Sequence, residues 1–100
     1  MSFISYNIHV KGEPSTFYQV NDFHFLLDLF KEKGIGLEKS FNHETLKISP
    51  KQVAHLANVA NDIPPEHIQG TQNKQCFEKF RKTLRHAARK KHSILCVLDL

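Results

Sequence analysis

The apolar run Ile94-Leu95-Cys96-Val97-Leu98 limits the folds open to this chain more than any other feature. Five residues are too few for a helix, and an unbroken apolar stretch leaves no polar side for a strand lying on a surface. The run therefore predicts a strand inside a sheet, buried on both faces, and the chain must supply neighbours for it. Residues 3–10 supply one, with Ile4, Tyr6, Ile8 and Val10 alternating against Ser5, Asn7 and His9 as in a strand with one covered face. Lys11-Gly12-Glu13-Pro14-Ser15 reads as a turn, and the β-forming residues 16–20 fold back as a hairpin. Leu46 and Ile48 alternate with Thr45 and Lys47 in a further strand, and residues 37–41 can form its hairpin partner through a tip at Asn42-His43.

Between these strands the apolar spacing changes to that of helices. Asn21 or Asp22 can cap a helix running to about Lys33, with Gly34 supplying a left-handed end. Phe23, Leu26, Leu27 and Phe30 form its stripe, and Phe25 and Leu29 widen the apolar arc to roughly 200° at 100° per residue. Ser49-Pro50-Lys51-Gln52 joins an N-cap serine, a first-turn proline and a glutamine placed to close a capping box. The helix it starts carries Val53, Leu56, Ala57, Ala60 and Ile63 on one face and stops at Pro64-Pro65. After a polar connection over 65–72, expected to be the most mobile loop, a third helix runs from about Asn73 to Lys91. The prediction is a single α+β domain: a mostly antiparallel sheet of four or five strands backed by three helices, in the order β-β-α-(β)-β-α-α-β.

The third helix also sorts its side chains by charge. Between residues 74 and 91 there are eight basic side chains and one acid, a net +7, whereas the 100-residue chain totals +4, so the remainder carries −3. Phe77, Phe80, Leu84, Ala87 and Ala88 form the packing face, and Lys74, Arg81, Lys82, Arg85 and Arg89 lie roughly opposite. Like charges at Arg81, Arg85 and Arg89 stand i,i+4 apart, which costs a few tenths of a kcal/mol per pair in an isolated helix. Helix stability alone does not select such a ridge, and its ~12 Å length at 1.5 Å per residue suits an anionic partner. The expected partner is an acidic protein surface, docked by a small non-enzymatic interaction module of the immunity, antitoxin or adaptor kind. Nucleic acid is the alternative, although no aromatic side chains interleave with the basic ones to stack on bases. A membrane surface is disfavoured because the apolar stripe belongs to the core.

Signals for chemistry are sparse. The seven histidines show no metal-ligand spacing, the four glycines make no phosphate loop, and no cofactor is expected. Cys76 is the one nucleophile candidate, since the first helical turn and nearby lysines lower a thiol pKa. His24 with Asp28, four residues apart, is the one acid/base candidate. With two cysteines and neither a signal-peptide pattern nor ~20 consecutive apolar residues, the chain reads as a soluble cytoplasmic protein with reduced thiols. Phe25 and Leu29, together with the second face of the last strand at Leu95 and Val97, offer more apolar surface than one helical layer covers. Self-association as a homodimer is expected there, unless the 35–42 segment covers it.

Overall fold

In the computed structural model, which describes residues 5–35 and 45–99, the elements follow the predicted order. They are β1 (Ser5–Val10), β2 (Thr16–Gln19), α1 (Val20–Glu32), β3 (Thr45–Ile48), α2 (Pro50–Asp62), a 3-10 turn (Pro65–His67), α3 (Thr71–Lys90) and β4 (Ile94–Asp99). The possible strand over 37–41, and the tip at Asn42-His43, lie outside the described residues. The strands form one antiparallel sheet in the order β2-β1-β4-β3. β4 is thus central, as its apolar run requires, with Cys96 opposite Ile8 on one side and Leu46 on the other.

The expectation that β4 is buried on both faces does not hold. Ile94 and Cys96 are fully buried, but Leu95 is 38% exposed and Val97 is only half-buried. All the buried strand residues, Tyr6, Ile8, Val10, Tyr18, Leu46, Ile48, Ile94 and Cys96, share one face by register. The helices pack on that face only, giving two layers around one core. The opposite face carries the row Phe17, Asn7, Val97 and Thr45 and the row His9, Leu95 and Lys47. Phe17 is 61% exposed there.

Local chemistry explains most boundaries. Gly12, at φ +83°, lets Glu13 N–H donate to the Val10 carbonyl at 3.0 Å, so β1 reverses into β2. β2 ends at Gln19, which faces Ser5, and Val20 starts α1 instead of extending the strand. The predicted cap at Asn21 or Asp22 is therefore two or three residues too late: Gln19 is the N-cap and makes no side-chain cap bond. Asp22 sits within the first turn, where its charge favours the helix dipole, and accepts from Gln72 Nε2 at 3.2 and 3.4 Å. The capping box at Ser49 forms as predicted, with Gln52 N–H donating to Ser49 Oγ at 3.3 Å and Ser49 N–H to Gln52 Oε1 at 3.1 Å.

The 65–72 connection is tied down. His67 and Ile68 N–H groups close the 3-10 turn at 3.0 and 3.1 Å, and the Ile68 side chain is buried in the core. α3 then begins two residues before the predicted start, after Gly70 at φ +90°. At its far end Lys91 takes the left-handed conformation, φ 57° and ψ 39°. Its N–H donates to Ala88 and that of His92 to Ala87, a Schellman closure built on a residue with a side chain. The core joins the layers through aromatic contacts: Tyr6 stacks on Phe23 at 4.2 Å, and Phe80 meets Tyr18 at 5.9 Å and Phe30 at 6.0 Å.

Candidate functional site

α3 buries Cys76, Phe77, Phe80, Leu84 and Ala87 against the sheet, α1 and α2. Since 3.6 residues make a turn, this packing fixes where each cation points. Lys74, Lys82, Arg85 and Arg89 emerge on the exposed side, and no ion pair engages them among the described residues. Arg81, expected to share that ridge, does not. It borders the packing face, its side chain is 25% exposed, and its Nη2 donates to Glu78 Oε2 at 2.7 Å. The pair is only partly satisfied, because Arg81 Nε and Glu78 Oε1 are buried without hydrogen-bond partners among the described residues. Among the described residues it is the one acid of the helix, Glu78, that pairs with Arg81.

Two further lysines face the β1–β2 hairpin. Lys79 Nζ donates to the Phe17 carbonyl at 2.6 Å and lies 4.4 Å from the centre of the Tyr18 ring. β2 is an edge strand of the sheet, so this contact ties α3 to the sheet's border. Lys90 Nζ pairs with Glu13 Oε1 at 3.1 Å, joining the end of α3 to the hairpin turn. Between these two ties, the hairpin and α3 border an open cleft of about 220 Å³ lined by Ile8, Val10, Glu13, Pro14 and Thr16 from the hairpin and by Lys82, Thr83 and His86 from α3. Sequence reasoning missed this cleft, although Lys82, His86 and Lys90 stand at i, i+4 and i+8 and so share one ridge.

The Tyr18 hydroxyl is buried beside Thr83. The Thr83 hydroxyl donates to the Lys79 carbonyl at 3.2 Å, and the Tyr18 phenol oxygen has no hydrogen-bond partner among the described residues. Burial pushes the Tyr18 pKa well above its ordinary value, an effect that Thr83 only partly offsets.

The expected activation of Cys76 is reversed. Desolvation and then the nearby Asp22 charge push its thiol up to about 11, outweighing the lowering by Lys79. The thiol donates to the Asp22 carbonyl at 3.7 Å and serves to join α3 to the start of α1. Burial likewise pushes Cys96 up to about 12, and both cysteines are free. His24 is exposed, with its ring edge against Tyr6 at 6.3 Å, and no hydrogen bond joins it to Asp28. Among the described residues, no three His, Cys, Asp or Glu side chains gather as a metal site would require.

The four residues expected to mediate self-association fall on two sides of the molecule. Phe25 and Leu29 are half-buried against the core in the helical layer, whereas Leu95 and Val97 belong to the open sheet face. Among the described residues no helix is long and apolar enough to cross a membrane. Compared with protein-family models, curated proteins and solved structures, the chain matches none.

Proposed function

We propose that this chain is a small non-enzymatic interaction module of the immunity, antitoxin or adaptor kind. It docks an acidic protein surface through Lys74, Lys82, Arg85 and Arg89 of α3. The observation that carries the reading is the division of the helix's cations. Lys79, Arg81 and Lys90 are spent on internal ties, while Lys74, Lys82, Arg85 and Arg89 stay exposed without ion pairs among the described residues. Lys82, Arg85 and Arg89 lie within about 10 Å along the axis, a compact patch able to meet several carboxylates at once. Against an enzymatic reading stands the raised Cys76 pKa, which keeps the thiol protonated at neutral pH.

The test compares the parent with a Lys82→Gln, Arg85→Gln, Arg89→Gln triple variant. Cross-linked complexes from the native host should contain an acidic protein with the parent and lack it with the variant. Fluorescence anisotropy with random single- and double-stranded oligonucleotides should show weak binding to both forms at physiological salt. Tight oligonucleotide binding by the parent, with a log–log salt slope that flattens by roughly 0.7–0.9 per phosphate contact removed, assigns the ridge to nucleic acid instead.

A further inference from the structure

We propose that the cleft between the β1–β2 hairpin and α3 is a binding site for a small carboxylate carried on a short apolar stem. The site shares Lys82 with the ridge proposed to dock a protein, while its other walls come from the hairpin and His86.

The cleft has two chemically different walls. Ile8, Val10 and Pro14 form an apolar side, and α3 contributes the Lys82 ammonium and the His86 ring from adjacent turns. Lys82 has no acidic partner among the described residues. Glu13 lines the cleft as well, and its carboxylate pairs with Lys90 Nζ at 3.1 Å rather than with Lys82. An anion entering with its tail toward the hairpin thus meets an uncommitted cation and an imidazole able to donate. Its hydrocarbon meanwhile leaves water for an apolar wall.

Size restricts the ligand. At ~30 Å³ per water in the liquid, a cleft of about 220 Å³ holds roughly seven waters, the space of an acid with about eight heavy atoms. Hexanoate and benzoate fit this description. Dinucleotides and long-chain lipids exceed it, since sites for drug-sized ligands start near ~300 Å³. A ligand this small binds at about millimolar Kd.

The experiment follows amide shifts in ¹H–¹⁵N spectra of the intact chain during titration with hexanoate, acetate and hexanol. Hexanoate should give saturable shifts at Ile8, Val10, Thr83 and His86, with acetate and hexanol each at least about tenfold weaker. Lys82→Gln, an exposed change that leaves the spectrum folded, should weaken hexanoate about tenfold, on the scale of a lost charge-assisted hydrogen bond. Thr16→Phe, which fills the cleft from the hairpin side, should abolish the shifts while Lys82 remains. Equal binding of acetate and hexanoate would reduce the site to surface ion pairing and overturn the proposal. So would hexanol matching hexanoate, or an absence of saturation at tens of millimolar. Loss of the acidic protein partner in Arg85→Gln, Arg89→Gln, with hexanoate binding intact in that same variant, would show the two sites to be separable.

Discussion

Replacing Lys79 with Met isolates the contribution of the tie between α3 and the sheet edge. Methionine keeps a straight stem and a similar helix propensity, so the change removes mainly the ammonium. That group makes a 2.6 Å hydrogen bond to the Phe17 carbonyl and sits 4.4 Å from the Tyr18 ring centre. A net intramolecular hydrogen bond contributes about 0.5–1.5 kcal/mol, and an exposed cation–π contact about 0.5–1 kcal/mol. The two share one ammonium and overlap, so the expected loss is about 1–2 kcal/mol. For a domain of this length each kcal/mol moves Tm by about 4–8 °C, giving a drop of about 4–16 °C. Arg85→Met is the matched control: it removes one positive charge from the same helix at a position with no ion pair, and should change stability by under about 0.5 kcal/mol. Thermal melting by circular dichroism measures both. Equal melting temperatures for the two variants would show that the Lys79 contacts do not outlast solvent competition and would refute the assignment of that lysine to the fold.

Lys91→Gly should raise stability by about 0.5–1 kcal/mol in urea denaturation, since the left-handed conformation at φ 57° strains a side-chain-bearing residue and suits glycine. Arg81→Gln should cost about 1 kcal/mol by removing the 2.7 Å contact with Glu78, whereas Arg85→Gln with Arg89→Gln should be neutral or slightly stabilising in the same denaturation series. Both native thiols should resist a disulfide reagent at pH 8 and react on unfolding. Because Cys76 is raised from 9.0 to about 11, the native state keeps a proton that the unfolded state has lost. Its contribution is therefore complete below pH 9 and disappears as pH climbs through about 11, and Cys76→Ala should flatten the stability profile across that window.

What could be read in the sequence was what neighbouring residues decide among themselves. The Ser49 capping box lies within four residues and formed as expected, and the unbroken run in β4 is enough to make that strand central. The apolar run does not disclose that all the helices gather on one face of the sheet, which leaves Leu95 exposed among the described residues. Val20 is β-branched, yet the register that pairs Gln19 with Ser5 ends the strand before it. Arg81 falls within the basic arc when α3 is drawn alone. Only the packed fold turns it to the edge of the buried face. The cleft joins residues more than sixty positions apart, Pro14 to Lys82 among them, which no local spacing encodes.

The pairing of β1 with β4 has a consequence for how the protein is made. Ser5 faces Asp99 and Val10 faces Ile94, so the two middle strands come from opposite ends of the sequence, and β3 has β4 as its neighbour. Closing a loop of this length costs about 2 kcal/mol more in chain entropy than closing the β1–β2 hairpin. While a ribosome is still working toward residue 94, the hairpin and the three helices can form, yet Ile8 and Leu46 each wait for the same missing strand. The nascent chain passes through a stage in which β1 and β3 both lack their shared neighbour, and the sheet closes only when β4 enters between them.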